Sequence, residues 1–162
     1  MSNKIIFSYN QIHNIIQNLS QKILQEYNPD IIIAISGGGL IPSRILRTYL
    51  NCEILCVGIK LYNNGNEQNP IPIKTQWFAK NFDKLKDKNI LIVDEIDDTR
   101  RTLGYVIDEI EVYDPNDIAI AVIHNKIKHK VYKLPKQYKY FAGEDILDEW
   151  IIYPWEQTKI DL

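Results

Sequence analysis

Five apolar residues in a row, Ile31-Ile32-Ile33-Ala34-Ile35, end abruptly at Ser36-Gly37-Gly38-Gly39. A β-branched run with no polar alternation suits a strand covered on both faces, as in a parallel sheet between helices. Residues 89–93, Asn-Ile-Leu-Ile-Val, repeat the pattern and run into Asp94 and Glu95. Helical spacing fills the intervals. Ser8 is followed three residues later by Gln11, a capping-box spacing, and Ile12, Ile15, Ile16, Leu19, Ile23 and Leu24 then recur on one helical face. Asn28-Pro29-Asp30 stops that helix. Helical spacing returns at 40–50, with Pro42 tolerated in the first turn, and again at 101–113. Strands are expected at 31–35, 53–60, 89–93, 118–123 and 138–142. The alternation predicts an α/β fold, a doubly wound, mostly parallel sheet with flanking helices and right-handed crossovers.

Such a sheet binds ligands beyond the carboxyl ends of its strands. Two segments stand in that position, one after Ile35 and one after Val93. With 162 residues, no internal repeat and no linker, the chain reads as one domain, 1–162. Nineteen basic against 21 acidic side chains give a net charge of -2, which offers nothing to nucleic acid or to an anionic membrane. Any phosphate must therefore be held locally. No apolar leader or spanning run is present, and Cys52 and Cys56 lack further ligands at metal spacing, so a soluble, cytoplasmic protein is expected. Residues 62–76 have no periodicity and are rich in Asn, Gln and Pro, which predicts a loop acting as a lid. Residues 143–162 read as a short, aromatic, irregular tail.

The segment after Val93 carries the most chemistry: Asp94-Glu95-Ile96-Asp97-Asp98-Thr99-Arg100-Arg101-Thr102. Paired carboxylates accept hydrogen bonds from vicinal hydroxyls or hold Mg²⁺ through water. The N–H groups of a starting helix, with Thr hydroxyls beside them, favour a phosphate. A further carboxylate on the same loop can carry a proton.

This stretch resembles the phosphoribosyl pyrophosphate (PRPP) signature of the type I phosphoribosyltransferases, and the Asp-Glu…Asp-Asp-Thr-Arg pattern is similar to their yeast-type hypoxanthine-guanine branch. Three other segments agree: 35–42 resembles the family's pyrophosphate loop, Lys126 its purine-reading lysine, and 150–156 (WIIYPWE) its base-binding tail. The resemblance implies a purine salvage enzyme that joins a 6-oxopurine to PRPP, with a small C-terminal hood over the base. Asp94 and Glu95 would hold the ribose hydroxyls. Asp98, Thr99, Arg100, Arg101 and Thr102 would wrap the 5′-phosphate, with Asp98 the catalytic acid–base group near N7. Ser36, Gly37, Gly38 and Gly39 would take pyrophosphate, in a loop that often contains a cis peptide. Lys126 would donate to the 6-oxygen, Trp150 would stack on the base, and the Ile151 backbone would read its edge. Mg²⁺ is implied as cofactor, with Asp94, Glu95 and Glu156 as the acids nearest it, and the assembly as a homodimer or homotetramer.

Two positions depart from the wider family. Arg100 replaces a usual glycine, so left-handed backbone is less available there and its guanidinium is expected at the phosphate. Gly37 stands where many relatives carry Arg or Lys, a charge that Arg44, Arg101 or Lys74 would replace. A PRPP-binding regulator without catalysis is the alternative, against which Asp98, Lys126 and Trp150 supply a base site that a PRPP sensor does not need. Taken alone, Trp150 and Trp155 are equally compatible with core aromatics, and His13, His124 and His129 read as structural.

Overall fold

The computed structural model describes residues 4–62 and 68–159. In chain order the elements are β1 (Lys4–Ile6), α1 (Tyr9–Glu26), β2 (Ile31–Ser36), α2 (Leu40–Leu50), β3 (Glu53–Tyr62), β4 (Gln68–Gln76), β5 (Asn89–Asp97), α3 (Arg101–Glu111), β6 (Asp117–Lys126), β7 (Lys139–Ile146) and β8 (Trp150–Ile152), with a 3-10 turn at Pro154–Glu156. Six strands form the main sheet in the order β4-β3-β2-β5-β6-β7. All are parallel except β4, which runs antiparallel to β3 at the edge.

The unbroken apolar runs are explained by two cores, one on each face of this sheet. Strand side chains alternate between faces. Ile32, Leu91 and Val93 join α1 and α2 in one core, while Ile31, Ile33, Ile35, Ile90 and Ile92 join α3 in the other. Both faces are dry, so no polar alternation survives in the sequence. The capping box at Ser8 forms as its spacing predicts, with the Gln11 N–H donating to Ser8 and the Ser8 N–H donating to the Gln11 side chain.

Several boundaries differ from the sequence expectation. Residues 68–76 are a strand, not an irregular lid loop. Their prolines hide the strand because proline lacks an N–H, a loss that only an edge strand tolerates. The register of this hairpin shifts twice, between Gly58 and Ile59 and between Lys60 and Tyr62. The remainder of the expected lid, 63–67, lies outside the described residues. Strand β5 runs on to Asp97, β6 to Lys126 and β7 to Ile146, while α3 closes at Glu111. Residues 143–146 of the expected tail therefore belong to the main sheet. The rest of the tail is anchored by a feature absent from the sequence reading, the parallel pairing of β8 with the first strand, β1.

Candidate active site

Strand β5 delivers its acids to the carboxyl edge of the sheet, and a cleft of ≈ 460 Å³ opens above them. Asp94 to Leu103 line one side of it, and Leu61 and Trp150 complete the wall. Asp94 is only 8% exposed. Burial, then the adjacent Glu95 carboxylate, holds its proton affinity well above the ordinary carboxylate range. Two neighbouring carboxyl groups in a half-dry site favour whatever cation or hydroxyl donor relieves them.

The glycine loop after β2 is packed onto the same acids. A Cβ at Gly38 would fall on the Glu95 carboxylate, and one at Gly39 on the carbonyls of Val93 and Ile35. Gly39 is required by close approach to backbone, whereas at Gly38 the Glu95 side chain would have to move. A Cβ at Gly37 would meet nothing within 4 Å, so that position is open. The Ser36–Gly37 peptide is cis. Two side chains expected to supply the charge missing at Gly37 are engaged elsewhere. Lys74 pairs with Glu109 and lies over the Trp77 ring, and Arg44 donates to Thr48 within α2. Arg101 lines the cleft.

Beyond Asp97 the chain turns through Arg100, which adopts the left-handed conformation at φ 66° without being glycine. The first helical bond of α3 runs from the Gly104 N–H to the Arg100 carbonyl at 2.9 Å, so the N–H groups of Arg101, Thr102 and Leu103 precede the ladder. The positive end of a helix start attracts an anion. The Arg100 guanidinium is not presented to this spot as expected. It binds Asp97 Oδ2 through Nε at 2.8 Å and Nη2 at 2.7 Å, and lies 4.9 Å from the Tyr140 ring centre.

Asp98, which lines the cleft, belongs to a four-charge cluster. Asp98, half exposed, stands 3.7 Å from Lys126 Nζ and 3.0 Å from Lys128 Nζ. Asp148 bridges the same two ammonium groups at 3.2 and 2.8 Å. Those lysines hold the Asp148 carboxyl below its usual range, Lys128 first, and Asp148 and Asp98 together raise Lys128. Lys126 is the last residue of β6 and 9% exposed, so it is part of the strand rather than beyond it. The place of Lys128 and Asp148 in this cluster is not legible in the sequence, because a lysine-rich run and an acid-rich turn look like solvated surface.

Trp150 is 62% exposed, which excludes the core-aromatic alternative for that residue. Trp155 behaves differently: it stacks on Tyr153 at 4.8 Å and packs against the core. The Ile151 side chain is buried, and its backbone has one free direction. The Phe7 N–H donates to the Ile152 carbonyl at 3.1 Å. Backbone groups alternate along a strand, so the Ile151 N–H and C=O turn to the opposite edge, away from β1. The Tyr153 hydroxyl donates to the Glu95 carbonyl at 3.1 Å and lies 2.9 Å from His124 Nδ1. One hydroxyl has one proton, so Nδ1–H donates to Tyr153 and Nε2 is the bare nitrogen. This chain of bonds ties the hood to the backbone of the paired acids, which gives the structural reading of His124 a definite form.

The acids expected nearest a metal do not assemble as a set. Glu156 accepts the Tyr153 N–H at 2.9 Å and caps the 3-10 turn, and no cluster of three metal-ligating side chains exists among the described residues. The Asp94–Glu95 pair alone, two adjacent carboxyl groups at the cleft, fits a hydrated cation.

Comparison with known proteins agrees with this geometry. The hypoxanthine-guanine phosphoribosyltransferase of Schizosaccharomyces pombe is 38% identical over 98% of this chain and 91% of its own length. Xanthine phosphoribosyltransferase 1 of Saccharomyces cerevisiae is 36% identical over 98% and 92%. A crystal structure of a Neisseria gonorrhoeae protein with bound ppGpp superposes with a TM-score of 0.90 at 38% identity, covering 98% of this chain and 92% of that one. The purine phosphoribosyltransferase of Pyrococcus horikoshii gives 0.75 at 31% identity, covering 98% and 97%. Residues 8–157 match the phosphoribosyl transferase domain, and with a helix start, paired acids and an exposed tryptophan around one cleft, the chain belongs to that family.

Proposed function

We propose that the chain is a purine salvage enzyme that transfers the 5-phosphoribosyl group of PRPP to N9 of hypoxanthine, guanine or xanthine and releases pyrophosphate. The observation that carries this reading is one cleft lined both by the acids and helix start of 94–103 and by the exposed Trp150. A ribose phosphate needs the first and a flat base the second. The ppGpp bound by the gonococcal relative, a guanine nucleotide with two diphosphate groups, combines the same chemical parts.

In this reading Asp94 and Glu95 accept hydrogen bonds from the ribose hydroxyls, and the backbone at 99–102 receives the 5′-phosphate. The loop of Ser36, Gly37, Gly38 and Gly39 takes the pyrophosphate. Trp150 stacks on the base, the outward Ile151 backbone reads its edge, and Lys126 donates to the 6-oxygen in place of its contact with Asp148. Asp98 accepts the proton that the base sheds as N9 closes on C1′. Little covalent chemistry is asked of the protein, so orientation and charge placement supply most of the rate. Mg²⁺, which Asp94 and Glu95 would hold through water, makes pyrophosphate a better leaving group. The chain acts as one domain, 1–162, with the hood of 147–159 over the base and the β3–β4 arm beside the cleft. Its setting is the cytoplasm, and its assembly as a homodimer or homotetramer rests on the family resemblance alone.

A non-catalytic PRPP sensor finds no support in a site that spends Lys126, Lys128, Asp98 and Trp150 on a second ligand. The test is to supply PRPP and Mg²⁺ with hypoxanthine, guanine, xanthine, adenine or orotate and follow nucleotide formation. A lysine donor suits a 6-oxo and not a 6-amino group, so adenine is expected to react more than about a hundredfold more slowly. Comparable rates with adenine and hypoxanthine overturn the assignment.

A further inference from the structure

The turn that carries the helix mouth is held from behind by residues that the proposed reaction does not use. Asp97 is 0% exposed, and a carboxylate taken that far from water is tolerated only with donors around it. Its Oδ2 receives Arg100 Nε at 2.8 Å, Arg100 Nη2 at 2.7 Å and the Tyr140 hydroxyl at 2.8 Å. The Lys130 ammonium, 3.4 Å from Asp97 Oδ1, donates to the Asp97 carbonyl at 2.6 Å and the Asp98 carbonyl at 2.8 Å. The Val131 N–H takes the next carbonyl, that of Thr99, at 2.9 Å. Three consecutive carbonyls therefore face the connection between β6 and β7. In a trans peptide the N–H points opposite to the C=O of the same unit. The N–H groups of Asp98, Thr99 and Arg100 are thus turned away from that connection, along a stretch that lines the cleft.

We propose that Asp97 and Lys130 are positioning residues for PRPP: they fix the carbonyls of 97–99 on one side, so that the N–H groups of 98–100 face the 5′-phosphate. Arg100 serves this device through its left-handed backbone and its bond to Asp97, and its guanidinium is not a phosphate ligand. The inference rests on the reading of the cleft as a PRPP site and adds to it how the loop is held. It also accounts for an arginine where glycine is usual, because the buried carboxylate anchors the side chain of a residue kept at φ 66°.

The experiment measures KM for PRPP and for the purine separately, with PRPP binding by calorimetry, in the full-length chain. Lys130→Met is expected to raise the PRPP KM roughly tenfold, the scale of one lost charge-assisted hydrogen bond, and to leave the purine KM within about twofold. Lys130→Arg, which keeps donors for both carbonyls, restores most of that loss. Arg100→Gly retains the left-handed turn but strands Asp97, so PRPP binding weakens. Adding Asp97→Asn to Arg100→Gly removes the stranded charge and is expected to recover affinity by about tenfold over the single variant. A double variant as weak as Arg100→Gly would mean that the guanidinium touches phosphate, and it overturns the proposal. Equal rises in both KM values for Lys130→Met overturn it as well, by reducing the residue to general stability. If Arg100→Gly does not fold, the two Lys130 variants decide alone. Wild-type protein that fails to bind PRPP refutes the transferase reading itself, an outcome distinct from any pattern among the variants.

Discussion

Asp94 and Asp97 lie three residues apart on one strand, and burial treats them in opposite ways. Asp97 meets Arg100 and Tyr140, and its charge is answered inside the protein. Asp94 receives the Glu95 N–H at 2.9 Å but also faces the Glu95 carboxylate. The sign for an acid whose folded affinity for protons is raised is definite. Its stabilising contribution is complete below the unfolded pKa of 3.8 and is lost as pH rises through the folded value, so ionised Asp94 weakens the fold at neutral pH. Asp94→Asn keeps the shape and removes the charge. The expected outcome at pH 7 is a higher melting temperature in calorimetry together with weaker PRPP binding. A lower melting temperature would place the carboxylate among the stabilising groups and sink the idea. From the sequence these acids looked like one loop motif. Their partners, Tyr140 and Lys130, lie more than thirty positions along the chain, a relation that no local pattern encodes.

At the scale of elements, the buried strands and amphipathic helices were legible because each satisfies a local rule. A two-faced strand reads as a continuous β-branched run, and a helix on a sheet reads as a period near 3.6. The edge strand β4 and the hood were not legible, for a physical reason. β4 is defined by its pairing with β3, through two register shifts and across two prolines. β8 is three residues long and exists because β1, some 145 positions earlier, pairs with it. On the proposed reading, that pairing makes β1 a remote support for the base site. Ile5→Pro removes an N–H from β1 and disfavours the paired register. The expected result is a purine KM several-fold higher with the PRPP KM little changed, since the phosphate loop sits on β5 and α3. Parallel losses for both substrates would show that β1 supports the whole fold rather than the hood.

For the molecule as a whole, the two half-sites are joined where His124, Tyr153 and the Glu95 carbonyl meet beneath the cleft. His124 is fully buried, with the Phe7 ring tilted against it 4.5 Å away, and burial lowers its pKa from 6.5 to about 4. The Glu144 carboxylate stands 3.8 Å from Nε2, but it is half exposed and screened by water, so desolvation prevails. The ring is neutral when folded and takes up a proton on unfolding at mildly acid pH. Stability therefore falls as pH drops from above 6.5 toward 4, where the folded ring also titrates. Between pH 7 and pH 5 the loss from this one group is about 2 kcal/mol, which lowers the melting temperature by roughly 4–8 °C in a domain of this size. Carboxylates titrate mostly below that window, but their contribution is removed by comparison with His124→Asn, whose amide can still donate toward Tyr153. The variant is expected to melt lower at pH 7 and to lose less on acidification than the wild type. Equal slopes in the two proteins would show that the proton is taken up elsewhere. Protonation leaves the Nδ1–H bond to Tyr153 in place but sets a buried charge at Nε2, so on the proposed reading the acid-induced loss of activity in the wild type is expected in the KM for purine and for PRPP together.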